Sequence, residues 1–179
     1  MPTKHSVSEK LCLTCGLCCN GVIFADVQLQ NGDDVKRLEA LGLPLAARGI
    51  KVKKNSYKFP QPCSAFDGCR CQIYSERPKH CRAFDCALLT SVQNGETKPA
   101  SALRTIEKAR IRAEKVRELL RLLGDADEKV ALSLRFRKTA RRLQEGECNP
   151  RTADTFSQLT LATHDLNLIL SEKFYPGQV

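Results

Sequence analysis

Cysteine dominates the chemistry that this chain could perform, with ten cysteines in 179 residues. Nine of the ten fall in two clusters. The first holds Cys12, Cys15, Cys18 and Cys19, and the second holds Cys63, Cys69, Cys71, Cys81 and Cys86. In a reducing compartment, clustered thiols are more often metal ligands than halves of disulfides. The clusters therefore predict that the N-terminal half is built around metal.

The number of thiols leaves two arrangements open. Tetrahedral zinc and a cubane iron–sulfur cluster each take four protein ligands. Nine clustered cysteines allow two four-ligand sites, or one site plus redox-active thiols. Cys18 and Cys19 are adjacent, so their side chains diverge and the first cluster cannot easily close a site alone. We therefore expect ligands from both clusters, on short Cys-x-x-Cys loops in which Gly16 permits a tight backbone.

The combined spacing is specific. Cys-x-x-Cys-Gly-x-Cys-Cys at 12–19 is followed by Cys-x-Ile-Tyr-x-x-Arg-Pro-x-x-Cys-Arg-x-Phe-x-Cys at 71–86. This pattern resembles the CxxCxxCC zinc- or iron-chelating family, also called YkgJ-type cysteine cluster proteins. The resemblance implies metal chelation, described for some members as Fe–S oxidoreductase activity, and a distant likeness to a flagellin lysine N-methylase. Cys69 is not in the plain form of the motif, so both Cys63 and Cys69 stay candidate ligands.

Several residues near the second cluster have both a structural and a chemical interpretation. Arg77 and Arg82 could offset thiolate charge, or they could be surface arginines of a turn at Arg77-Pro78. Tyr74 is predicted to pack in the core. His80 could bind metal, but cysteines are already in excess. Cys148 lies in a predicted loop and is expected to be an uncoordinated thiol.

The surplus of thiolates favours a closed site, whereas catalytic metal sites keep one coordination position open. The only nearby carboxylates and imidazole belong to Asp67, Glu76, Asp85 and His80. We therefore predict no hydrolytic or acyl-transfer activity. Electron transfer by iron needs no open position, so whether the protein is a redox enzyme stays undecided.

The charge balance is weak evidence for nucleic acid binding. The formal net charge is +9, but eight thiolates on two divalent ions would bring it near +5. Residues 104–142 hold 13 Lys or Arg against 6 Asp or Glu, and Phe136 is the only aromatic residue among them. A solvated helix face is the better interpretation. Three hypotheses remain: a metal-binding protein with zinc or iron, a [4Fe–4S] enzyme or electron carrier acting on another protein, and a nucleic-acid binder with structural zinc.

The elements around the clusters can be predicted coarsely. Residues 1–10 look loosely held, and residues 21–29 have strand-forming side chains. The segment Gly32-Asp33-Asp34 offers an N-cap for a short helix over 35–41, which Gly42 and Pro44 should stop. Residues 51–59 alternate about Asn55-Ser56 and could form a small hairpin.

Beyond a turn-rich join at 93–99 the pattern is helical. Apolar residues recur at spacings of three and four over 106–123, 130–143 and 156–170, which predicts three helices. Asp125 with Glu128 resembles a capping box for the second helix, and Thr152 could cap the third. Short connections favour a helical hairpin or three-helix arrangement.

These observations predict an α+β fold that is mostly α. We expect a cysteine-cluster metal-binding domain at 1–92 and a helical region at 93–179. The N-terminus has no apolar signal-peptide core and no apolar run reaches about 20 residues. A cytoplasmic protein with a metal ion as partner and no membrane contact is therefore expected.

Overall fold

The computed structural model describes residues 7–47, 57–68, 70–146 and 149–175. Within them the chain forms mainly helices with one small sheet, so the predicted α+β, mostly α fold class is confirmed. The helices are α1 (Val7–Cys15), α2 (Val35–Ala40), α3 (Lys79–Ala83), α4 (Ala87–Gln93), α5 (Pro99–Leu122), α6 (Leu132–Glu145) and α7 (Pro150–Lys173). The strands are β1 (Asp26–Gln28), β2 (Ala46–Ala47) and β3 (Tyr57–Pro60).

The strands form one antiparallel sheet in the order β1-β3-β2. Val27 lies opposite Phe59, and both side chains are buried while their neighbours are exposed or half-buried, as the period of two in a strand requires. The strand predicted within 21–29 is confirmed at β1. The first arm and turn of the hairpin predicted at 51–59 lie outside the described residues.

Contacts divide the chain into two compact units, each made of discontinuous segments. The cysteine unit comprises Gly16–Phe84 and Glu128–Ser133. The helical unit comprises the described residues of Met1–Cys15, Asp85–Asp127 and Leu134–Val179. The division into a cysteine-cluster metal-binding domain at 1–92 and a helical region at 93–179 stays a prediction.

The core of the cysteine unit is small and lies between the sheet and α2. Asp34 caps α2 by accepting a hydrogen bond from the Arg37 backbone N–H at 3.0 Å, as predicted. The helix buries Leu38 and ends before Gly42, whose φ of +85° suits glycine. The buried core residues are Val27, Leu29, Leu38, Leu43, Phe59, Ala65 and Ile73.

The helical unit is organised by the packing of α5 against α7, with α1 packed against α4 and α5. Helix α5 buries Ala102, Ala109 and Ala113 completely, and such small side chains allow a neighbouring helix to approach closely. The predicted helical pattern over 106–123 is confirmed, and Gly124 follows its end with a φ of +82°.

The expected loose start at 1–10 is wrong from Val7 onwards, and so are the loops expected at Cys12 and Cys15. These residues form α1, because the segment contains helix-forming Glu9, Lys10 and Leu11 and no glycine or proline. The helix stops at Gly16, whose φ is +64°. Cys12 and Cys15 therefore stand one helical turn apart.

The predicted capping box at Asp125 and Glu128 is also wrong, because α6 begins only at Leu132. Asp125 is 5% exposed and its Oδ1 accepts a hydrogen bond from Arg135 Nε at 2.8 Å. Helix α7 is capped by Asn149, which accepts from the Thr152 backbone N–H at 2.9 Å, and not by Thr152 itself. The Asp125 carboxylate is therefore paired with the side chain of Arg135. The free backbone N–H of Thr152 is satisfied by the side chain of Asn149.

Among the helices within the described residues, none combines the length and the apolar character that crossing a bilayer requires.

Candidate metal centre

The predicted ligands are divided between the two compact units. Cys12, Cys15 and Cys86 belong to the helical unit. The cysteine unit contains Cys18, Cys19, Cys63, Cys71 and Cys81. Each of these eight residues is a thiol and none is half of a disulfide within the described chain. Cys69 and Cys148 lie outside the described residues.

Four thiols of the cysteine unit are close enough to influence one another's ionisation. The charges of Cys63, Cys81 and Cys71 raise the pKa of Cys19. Cys71 raises the pKa of Cys63, and both of these residues raise the pKa of Cys81. Every pair among Cys19, Cys63, Cys71 and Cys81 therefore interacts, and we call these residues the four-thiol cluster.

The chain path explains how the first cysteine cluster meets the second. The backbone N–H of Cys63 donates to the carbonyl of Cys19 at 2.8 Å, which joins the two clusters directly. Phe66 and Cys71 form an isolated antiparallel bridge, which folds the segment back and brings Cys71 toward Cys63. Cys63, Cys71 and Cys81 all pack against the apolar core of this unit.

The turn that carries Cys19 depends on glycine. The backbone N–H of Cys19 donates to the Gly16 carbonyl at 2.9 Å. Gly16 has a φ of +64°, and a Cβ there would lie 2.7 Å from the Phe66 ring carbon Cζ. Gly16 is therefore required for both its backbone conformation and its close approach to the ring.

Burial and mutual repulsion favour the protonated forms of Cys19, Cys63 and Cys81. Burial is the largest cause that raises the pKa of Cys19 and of Cys81, each to about 12. The same cause raises the pKa of Cys63, partly offset by a backbone hydrogen bond from Ala65. Thiols of this kind ionise only when a cation is present to neutralise them.

Arg77 is the cation that acts on the cluster, lowering the pKa of both Cys19 and Cys81. Its guanidinium carbon lies 3.8 Å from the centre of the Tyr74 ring, and its Nε donates to the Tyr74 carbonyl at 3.2 Å. Tyr74 is 41% exposed, so its predicted place in the core is wrong. The ring instead supports Arg77. Arg82 is exposed.

His80 packs within an aromatic group. Its ring contacts Phe24 edge-on at 5.2 Å and stacks on Phe84 at 6.2 Å. Its Nε2 is buried with no hydrogen-bond partner among the described residues. The geometry accounts for His80 as a packing residue beside Cys81.

Two sets of polar contacts hold the segment that leads to Cys81, and the sequence predicted neither of them. The Asp33 Oδ1 accepts a hydrogen bond from the Lys79 backbone N–H at 2.8 Å. Arg37 binds Glu76 through two hydrogen bonds of 2.5 and 2.9 Å. The partners are 46 and 39 residues apart, so no local pattern in the sequence indicates them.

The thiols of the helical unit have different surroundings. Cys12 and Cys15 lie on α1, where Cys12 is exposed. Cys86 precedes α4, and burial raises its pKa while backbone N–H groups of Leu89 and Leu88 lower it.

The four-thiol cluster fits a soft, thiophilic cation such as zinc or iron. Four sulfur donors match the ligand number of tetrahedral zinc. Within the described part of the chain, however, no three His, Cys, Asp or Glu side chains already stand as a finished metal-binding group. The pairwise interactions establish proximity, so the sulfur atoms would have to close on an ion to bind it.

The motif found in the sequence agrees with a known family. The family model described as "CxxCxxCC: Putative zinc- or iron-chelating domain" matches residues 11–121, more than half of the chain. The matched range includes all eight described cysteines. No curated protein and no solved structure matched the chain.

Proposed function

The chain belongs to the CxxCxxCC family of zinc- or iron-chelating domains, and we propose that it binds one zinc or iron ion through Cys19, Cys63, Cys71 and Cys81. The observation that carries the proposal is the placement of these four residues in one compact unit, where the Cys63 backbone N–H donates to the Cys19 carbonyl and where Cys63, Cys71 and Cys81 pack against the same apolar core. The four thiols match the coordination number of a closed tetrahedral site.

The surroundings support a thiolate site. Four thiolates on one divalent ion leave a net charge of about −2, and Arg77 supplies a nearby positive charge. Metal-bound thiolates are commonly supported by such neighbours. The site lies against a core of few apolar residues, so binding would add to the stability of this unit.

The role proposed for the metal is structural or electron-transferring. Four thiolates fill a tetrahedral ion and leave no position for water or substrate. A [4Fe–4S] cluster also uses four thiolates and would make the site a redox centre. The reduced thiols that either group requires are typical of cytoplasmic proteins, and we propose that location.

The test is metal retention in single serine variants. Anaerobically purified protein should keep about one equivalent of metal after dialysis against metal-free buffer. Cys19→Ser, Cys63→Ser, Cys71→Ser and Cys81→Ser should each lose it, whereas Cys148→Ser should not. Retention in all four cluster variants, or equal loss from Cys148→Ser, would rule out the proposed ligand set.

The visible spectrum and a sulfide assay identify the group. Colourless protein with zinc indicates a zinc site, whereas brown protein with labile sulfide indicates an iron–sulfur cluster. Cys12→Ser, Cys15→Ser and Cys86→Ser measure the helical unit separately. We expect these variants to keep the metal of the four-thiol cluster, because Cys12, Cys15 and Cys86 are outside the proposed ligand set.

A further inference from the structure

Helix α3, which carries Cys81, lacks a cap of its own. Pro78 occupies the N-cap position with φ −54° and ψ 155° and makes no side-chain hydrogen bond. The first backbone N–H groups of a helix have no partner within the helix and need an acceptor from elsewhere. Helix α3 has only five residues, so most of its backbone N–H groups have no partner within the helix.

Asp33 supplies the missing acceptor from a distant segment. Its Oδ1 accepts from the Lys79 backbone N–H and its Oδ2 accepts from the Gln30 backbone N–H, both at 2.8 Å. Lys79 returns a bond, because its Nζ donates to the Asn31 carbonyl at 2.7 Å. The half-buried carboxylate therefore joins the turn after β1 to the first residue of α3.

We propose that Asp33 is a positioning residue for the metal site: by holding the Lys79 backbone N–H, it fixes α3 and thereby places Cys81 among the other three thiols. The inference rests on the proposed function, since it gives Asp33 the role of placing Cys81, one of the four ligands proposed above. Arg37 and Glu76 support the same segment one turn earlier. The side-chain oxygen of Asp33 contacts the backbone of α3 and acts on Cys81 through it. The charge of Asp33 also raises the pKa of the Cys81 thiol, and Lys79→Pro keeps that charge.

The test removes this bond from each side. Asp33→Ala deletes the acceptor. Lys79→Pro deletes the donor and keeps the helix, because proline suits the first helical position and Pro78 already has the extended backbone required before a proline. Lys79→Ala is the matched control, since it loses the Nζ bond to Asn31 but keeps the backbone N–H.

The readout is the rate at which iodoacetamide alkylates each cysteine in the zinc-loaded protein, measured by peptide mass spectrometry. In Asp33→Ala and Lys79→Pro, Cys81 should react roughly tenfold faster, the effect of losing one charge-assisted hydrogen bond. Cys19, Cys63 and Cys71 should stay protected, and Lys79→Ala should match the wild type.

Two outcomes would overturn the inference: unchanged protection of Cys81 in either Asp33→Ala or Lys79→Pro, or equal loss of protection at all four thiols. The second outcome would show a general structural role. Failure of zinc to protect the wild-type cluster at all would contradict the proposed function itself, and is therefore distinguishable from failure of the role of Asp33 alone.

Discussion

The buried pair Asp125–Arg135 should be the most sensitive polar contact of the helical unit. The Arg135 side chain is 1% exposed and that of Asp125 is 4% exposed. Arg135 Nε donates to Asp125 Oδ1 at 2.8 Å, and its second terminal nitrogen donates to the Asp125 carbonyl at 2.9 Å. Asp125→Ala would remove the carboxylate from this buried contact and keep the hydrogen bond that the guanidinium donates to the backbone carbonyl of residue 125.

The expected cost follows from losing one carboxylate of a buried ion pair. Removing one partner of a buried ion pair typically lowers the free energy of unfolding by about 3–5 kcal/mol. Because the bond to the Asp125 carbonyl survives in Asp125→Ala, we expect the lower end, about 3 kcal/mol. The double variant Asp125→Ala/Arg135→Leu should recover at least about 1.5 kcal/mol, since it no longer buries a charge.

Urea denaturation followed by far-UV circular dichroism, on metal-loaded protein, measures these differences. Arg141→Leu is the control, because Arg141 is an exposed arginine on the same helix and should change stability by less than about 0.5 kcal/mol. A loss below about 1 kcal/mol in Asp125→Ala, or a double variant no more stable than that single one, would refute the reasoning.

Three further predictions concern the cysteine unit. Gly16→Ala should lower its stability by about 2 kcal/mol, measured by urea denaturation, because φ is +64° and the new Cβ would meet Phe66; a neutral result would contradict the close contact. Cys19 and Cys81, with pKa raised to about 12, must lose protons to bind zinc, so a zinc titration in weak buffer should acidify the solution and affinity should rise with pH. The stability of the metal-free protein should instead fall as the pH rises, because the folded state favours the neutral thiols. The free energy of unfolding at pH 8 should therefore exceed that at pH 10, and equal values would count against the raised pKa. Chelation should speed hydrogen exchange within 16–84 and spare α5 and α7, whereas uniform acceleration would show that the two units unfold together.

Local patterns predicted the elements whose signals lie close together in sequence. The Asp34 cap and Gly42 stop mark α2, and the apolar spacing over 106–123 marks α5. In each case the residues that decide the structure are neighbours along the chain. The cysteine spacing likewise indicated a metal-binding region of the expected family.

The division of the cysteines could not be read from spacing, because it depends on contacts between distant segments. Cys12 and Cys19 are neighbours in one motif, yet the helix α1 and the turn at Gly16 place them in different compact units. Asp33 gave no signal either, since its partner Lys79 lies 46 residues away. Asp125 gave a misleading signal, because a local capping pattern and a buried ion pair use the same residue type.

The central claim is that one metal ion lies among Cys19, Cys63, Cys71 and Cys81. Crystals of the anaerobically purified protein, measured above and below the zinc and iron absorption edges, would locate that ion by anomalous scattering. We predict one anomalous peak with these four sulfur atoms around it, at about 2.3 Å if the metal is zinc. A peak beside Cys12, Cys15 or Cys86 with none at the four-thiol cluster would contradict the account.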